Sequence, residues 1–326
     1  MVLGRKIKLC AIALAATVTG LSAVAAQTFP SRPITLIVPF AAGGPLDTVT
    51  RTLSEQVGAE LGQRVVVENM AGAGGSTGVG QVVRANPDGH ILGMGNWSTH
   101  VINASVYALT YDLVADLAPV ALLPSNPQLL VARKTMPAET LPDLVGWLKA
   151  NRANLASAGV GTASHASGLL LQQRTGASVA FVHYKGGGPA LQDVVAGHVD
   201  LMFDQIATAL PHVREGALKA YAVTSKSRVA VAPDIPTVDE AGLPGFYISV
   251  WNGVWAPKGT PPAAIAAVNR AFNRAMESPA VARRLVDLGL ELPPPDQRTP
   301  EALAALQAAE LAKWSPIIKA SNVKAN

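Results

Sequence analysis

The chain is 326 residues long, 49% hydrophobic and 15% charged, with a formal net charge of +4, which is enough for two lobes with separate cores. The positive surplus is local: Arg5, Lys6 and Lys8 supply it, and without residues 1–26 the balance is 23 basic against 22 acidic residues. No basic footprint for nucleic acid or an anionic membrane remains, and the single cysteine, Cys10, falls in the same segment, so disulfides and thiol chemistry are excluded from the rest.

Residues 1–26 read as a cleaved secretory signal. The three basic residues precede a short apolar run from Leu9 to Val18, and Ala23-Val24-Ala25-Ala26 offers small residues for cleavage. Cys10 stands at the start of the apolar run rather than after it, which argues against a lipid anchor. No other apolar run approaches the roughly eighteen residues of a membrane helix.

Ile34 to Phe40 is apolar and β-branched, the composition of a buried parallel strand. Leu46, Val49, Leu53, Val57 and Leu61 then recur at helical spacing, with Pro45 at the first position and Gly62 as the stop. Arg64 to Glu68 and Ile91 to Gly95 read as further strands. Pro124-Ser125-Asn126-Pro127 breaks the pattern and suggests a crossover to a second lobe. There the alternation resumes: helix from Leu141 to Ala150, strand from Leu155 to Ala158, helix from His165 to Thr175, strand from Val179 to His183. A helix after Pro189 and strands from Asp200 to Asp204 and Ala220 to Thr224 follow. The return crossing falls near Ser249 to Asn252, and the helices from Ala263 to Ser278 and from Pro300 to Trp314 pack back on the first lobe. Alternating strand and helix patterns imply α/β lobes, each a doubly wound, mostly parallel sheet flanked by helices.

Two glycine-rich loops, one in each half, stand between a strand and a helix: Val38 to Asp47, and Ala158 to His165. A helix N-terminus presents unpaired N–H groups and partial positive charge, so two such ends facing one cleft would clamp a small anion. Thr162 or Ser164 is expected to cap the second helix, and His165 to offer a donor to the cleft. Asp47, in a first turn, either organises its own loop or meets a ligand ammonium group. Asp204, at a strand end, is placed where open sheets keep their ligand crevice.

Enzyme signatures are weak by comparison. Gly74-Gly75-Ser76-Thr77-Gly78 matches a nucleophile elbow, but Ser76 lies several residues past the strand. Gly159-Val160-Gly161-Thr162-Ala163-Ser164 lacks the last glycine of a dinucleotide fingerprint and the later acidic residue. The histidines show no metal-ligand spacing. No metal and no cofactor are expected.

The chain resembles the substrate-binding proteins of tripartite tricarboxylate transporters, often called the Bug family. The resemblance spans nearly all of the mature chain. It rests on Val38-Pro39-Phe40 with Gly43-Gly44, Asp47 and Arg51; on Glu68-Asn69 with Gly72 to Gly75; and on Pro87-Asp88-Gly89, Tyr111-Asp112 and Leu117-Ala118-Pro119-Val120. Gly161 to His165, Tyr184-Lys185-Gly186 with Pro189-Ala190 and Asp193, Gly197 to Asp204, Pro236-Thr237 with Glu240-Ala241-Gly242, Trp251-Asn252-Gly253 and Ala256-Pro257 continue it. The resemblance implies a two-lobe periplasmic-binding-protein fold of type II, the Venus-flytrap form. Lobe I comprises 27–126 plus 250–326, lobe II comprises 127–249, and a hinge joins them.

It implies capture, without chemistry, of a small carboxylate in the periplasm: a dicarboxylate, tricarboxylate, acidic amino acid or aromatic acid. A monomer would deliver it to integral-membrane transporter subunits. Carried over by position, Phe40, Ala41, Gly43, Gly44 and Asp47 form the first binding loop, and Gly161, Thr162, Ala163, Ser164 and His165 the second. Asn96, Ser98 and Asp204 join them from strand ends. Two residues depart from the family pattern: Leu46 replaces a small or polar residue, often Thr, and Ala166 replaces a common Leu. Leu46 is either an apolar wall of the cleft or part of its helix's buried stripe. Two other functions compete, a ligand-sensing partner of a membrane sensor and a serine hydrolase using Ser76.

Overall fold

The structure, a computed structural model, describes residues 29–320; the expected signal segment lies outside the described residues. β1 (Ile34–Val38) is buried along almost its whole length, and pairs in parallel with β2 (Val65–Asn69) and β3 (Ile91–Asn96). Between β1 and β2 runs α1 (Pro45–Leu61), which buries Leu46, Val49, Leu53 and Val57 and ends on Gly62 in the left-handed conformation. α2 (Ser76–Val83) leads to β3. A wide π-type turn, Ser98–Ile102, and a one-turn helix, Asn103–Val106, follow.

β4 (Leu117–Arg133) is where the structure departs from the reading of the sequence. Its 17 residues continue through Pro119 and also through Pro124 to Pro127, where the sequence reading puts a break. The ladder shifts register between Pro119 and Ala121 and again between Leu123 and Asn126. Proline cannot donate to a ladder, and such irregularities are where a strand tolerates it. The first part of β4 pairs antiparallel with β9 (Ser249–Pro257), which continues to β3. The second part pairs antiparallel with β7 (Leu201–Gln205) and β8 (Leu218–Val223).

The remaining strands, β5 (Asn154–Ser157) and β6 (Ala180–His183), extend the sheet in parallel from β7. Its order is β2-β1-β3-β9-β4-β7-β5-β6, with β8 also on β4. The parallel βαβ units therefore flank a central pair of long antiparallel strands. Helices α3 (Leu141–Ala150), α4 (Ala163–Thr175), α5 (Gly187–Val195) and α6 (Ile206–Arg214) belong to the second half of the sheet. Helices α7 (Pro262–Glu277), α8 (Pro279–Asp287) and α9 (Pro300–Ala320) follow β9.

Apolar side chains fill both faces of each half. Leu36, Val38, Leu53 and Phe272 share one core, and Ile37, Val82, Trp255 and Leu303 another. Leu130, Leu155, Phe203 and Phe246 form a third, and Leu129, Val131, Leu191 and Met202 a fourth. The last helix is fixed to the first half: Trp97 meets Trp314 edge-on at 5.0 Å, and the Trp255 indole N–H donates to Gln307 Oε1 at 3.2 Å. The carboxyl ends of β1, β3, β5 and β7 and the helix N-termini that follow them are thereby brought to one cleft.

Candidate functional site

The first loop is held from behind by Asp47. Its Oδ2 accepts from the Gly43 N–H and from Arg51 Nε, both at 2.9 Å, and its Oδ1 accepts from Asn69 Nδ2 at 2.9 Å. Asn69 also donates to the Phe40 carbonyl at 3.0 Å. Burial by itself would raise the Asp47 pKa, but the bonds from Arg51, Gly43 and Asn69 outweigh it and hold the carboxyl below its ordinary value. Asp47 is therefore committed to its own loop and does not reach the cleft wall, as one of the two readings of the sequence had it. Asp47→Ala leaves three donors without their acceptor and is expected to cost roughly 2 to 3 kcal/mol. Urea unfolding at pH 7 measures it. Since the folded pKa is depressed, this contribution is present above the unfolded value near 3.8 and is lost as pH falls through the lower folded value.

Gly44 stands at the N-cap of α1 without a side-chain cap, and Pro45 has no N–H. The second helix likewise lacks a side-chain cap. Thr162 Oγ1 donates to the Gly159 carbonyl at 2.6 Å, and Ser164 Oγ accepts from the Ala158 N–H at 2.9 Å. The expected cap from Thr162 or Ser164 is thus not made; both hydroxyls brace the loop instead. The first helical N–H, that of Ala163, donates to Ser98 Oγ at 3.0 Å, a contact from the second half of the sheet to the first. His165 Nδ1 accepts from the Gly161 N–H at 3.1 Å, and its ring lies against Phe181 and His183. Burial, helped by repulsion from His183, lowers its pKa to about 4, so the ring is neutral at physiological pH.

Between the two loops lies a cavity of about 30 Å³, room for about two waters. Seven of the residues expected at the site form its wall: Phe40, Asn96, Ser98, Thr162, Ala163, Ser164 and Asp204. Ala41, Gly43, Gly44, Asp47, Gly161 and His165 do not; they belong to the loops that carry the wall. Leu46 lines the cavity and is also buried in the stripe of α1, so both readings of that residue hold together. Met202 and Phe203 add apolar surface, and Gln128 and Gln205 add amides. Asp204 Oδ2 accepts from Thr208 Oγ1 at 2.5 Å, and burial raises its pKa to about 7 despite that bond.

Sequence reasoning missed a third loop, Lys185 to Gly188, on which the two halves close. The Ala41 N–H donates to the Lys185 carbonyl at 3.2 Å. A Cβ at Gly186 would lie 2.9 Å from Ala41 N, one at Gly187 2.9 Å from Pro45 Cδ, and one at Gly188 2.7 Å from the Ala42 carbonyl. Three consecutive glycines before Pro189 were the available signal. A second seam forms where Tyr107 Oη donates to the Val160 carbonyl at 2.8 Å.

Ser76 opens α2, and its Oγ accepts from Asn103 Nδ2 at 3.1 Å.

Comparison with known proteins agrees in fold. The family model of the tripartite tricarboxylate transporter family receptor matches residues 49–323. MatC from Rhodopseudomonas palustris, solved with bound malate, is 43% identical with a TM-score of 0.84, covering 89% of this chain and 100% of that one. The periplasmic binding protein BugD is 37% identical with a TM-score of 0.88, covering 91% of this chain and all of its own. A second R. palustris protein, solved with adipate, is 29% identical with a TM-score of 0.84, over 89% and 97% of the two chains. The two-lobe α/β architecture described above is the one these binding proteins share.

Proposed function

The chain belongs to the tripartite tricarboxylate transporter receptor family, and from that membership we propose that it is a periplasmic solute-binding protein for small organic dicarboxylates. One observation carries the reading: the N-termini of α1 and α4 meet across a single cavity, and neither helix has a side-chain cap. A carboxylate placed there gains hydrogen bonds and favourable dipole charge from both sides. We assign residues 27–126 and 250–326 to one lobe and 127–249 to the other. β4 and β9 are the hinge, because β4 passes there from pairing with β9 to pairing with β7 and β8. Closure on the Lys185–Gly188 loop buries the anion, and the closed form is what the integral-membrane subunits of the transporter receive.

Malate and adipate, the ligands of two relatives, set the size range. The test is thermal unfolding of the signal-free protein, after denaturation and refolding to strip retained ligand, against succinate, malate, adipate, citrate and aspartate. A dicarboxylate at about a hundredfold over its Kd adds roughly 2.7 kcal/mol and raises Tm by several degrees. A flat response to every acid overturns the reading.

A further inference from the structure

Strands β3, β9, β4 and β7 lie side by side across the middle of the sheet. Residues opposite each other in a ladder share a face, as do residues two apart along a strand. Asn96 is opposite Asn252; Val250, two residues from Asn252, is opposite Asn126; and Gln128, two residues from Asn126, is opposite Gln205. Five carboxamides therefore form one row that runs from one half of the sheet to the other. Three of them, Asn96, Gln128 and Gln205, line the cavity.

The row is only half used by the protein. Asn96 Oδ1 accepts from the Thr99 N–H at 3.2 Å, and Gln128 Oε1 from the Ser167 hydroxyl. Asn252 Nδ2 donates to the Pro124 carbonyl at 2.6 Å, which fixes its other atom as an acceptor. Asn252 Oδ1, Gln205 Oε1 and both polar atoms of Asn126 are buried with no partner among the described residues. Asn126 and Asn252 are wholly buried. Native proteins seldom leave buried amides unpaired, and each such group carries a desolvation cost. Four in one row, one on the cavity wall and three in the strands behind it, mark a place where something else supplies the bonds. Acceptors outnumber donors in it.

We propose that this amide row is the subsite that recognises a hydrogen-bond donor, a hydroxyl or an ammonium group, on the carbon skeleton of the bound acid. Gln205 meets it at the wall and Asn126 supports it from behind. The inference rests on the dicarboxylate reading above and sharpens it: substituted C4 acids are the ligands, and unsubstituted ones are rejected because they leave the acceptors unpaired. A site built to bond such a group discriminates far more strongly than an apolar pocket does.

Calorimetric titration of the refolded protein with L-malate, L-aspartate and succinate tests it. The three acids share the C4 dicarboxylate frame and differ in carrying a hydroxyl, an ammonium group or neither. L-malate or L-aspartate is expected to bind at least about tenfold more tightly than succinate, and which of the two does so identifies the donor. In Gln205→Met and in Asn126→Leu that preference falls to about onefold. Should Asn126→Leu fail to fold, Gln205→Met, on the wall, decides alone. Equal affinity for all three acids in the parent protein, or an unchanged preference in a folded Gln205→Met, overturns the amide row and leaves the dicarboxylate reading standing. No binding of any of the three overturns both.

Discussion

Gly188→Val is expected to weaken ligand binding by more than about a hundredfold while leaving the unliganded protein folded. A Cβ at Gly188 would lie 2.7 Å from the Ala42 carbonyl and 3.1 Å from the Gly43 carbonyl carbon, both backbone atoms of the facing lobe. Backbone cannot give way as a side chain does, so the lobes stop short of contact and both helix N-termini no longer reach the anion together. Ligand closure driven by several hydrogen bonds loses most of them, and each factor of ten is about 1.4 kcal/mol. Gly188 is helical without a positive φ, so its backbone conformation accepts a side chain. Its Tm without ligand should stay within a few degrees of the parent. Titration calorimetry and a melting curve measure the two effects separately, and small-angle scattering should show that added ligand no longer compacts the protein. Retained affinity would mean that closure does not run through the Lys185–Gly188 loop.

The second large effect belongs to Asp204. Its unfolded pKa lies near 3.8 and its folded pKa is pushed up to about 7 by burial. Between these values the folded protein holds one more proton than the unfolded chain, so stability falls as pH rises from 4 to 7 and is level above that. About three pKa units correspond to a loss on the order of 4 kcal/mol from this one group. Asp204→Asn keeps an acceptor for Thr208 and removes the ionisation. It should flatten the stability profile over that range and make the variant more stable than the parent at pH 8, as urea unfolding at pH 4.5, 6 and 8 would reveal. Ligand binding follows the same titration. A neutral Asp204 in the cavity wall tolerates an anion, whereas an ionised one repels it, so dicarboxylate affinity should fall as pH rises past 7, and Asp204→Asn should lose that fall. A parent stability curve without a slope between pH 4 and 7 would refute the assignment.

Much of this architecture was legible in the residues. Ile34 to Phe40 reads as a buried strand because a parallel strand with both faces covered has no polar alternation, and Leu46 to Leu61 reads as a helix from its stripe. Both loops that carry the cavity wall follow from glycine between a strand and a helix. The course of β4 does not follow from local signals. Pro119, Pro124 and Pro127 argue against a strand, and only pairing with β9, β7 and β8 outweighs them. The caps were misread for a related reason. Thr162 and Ser164 have the chemistry of a cap, but their hydroxyls find partners in the loop they must brace. Gln128 and Gln205 could not be chosen as wall residues from sequence, because nothing local says which of many amides a long-range ladder will gather into one row.

Two strands, rather than an unstructured tether, carry the chain between the halves, and this sets the mechanics of opening. A sheet resists shear along its hydrogen bonds but yields to twisting about its strands. Resistance is lowest where the register slips between Leu123 and Asn126 and where Pro124 and Pro127 contribute no N–H. Opening should therefore be a torsion confined to a single line across the sheet, with each lobe turning as a rigid body. The restoring force should then be elastic, and the angle reached should depend on the backbone along that line rather than on the ligand.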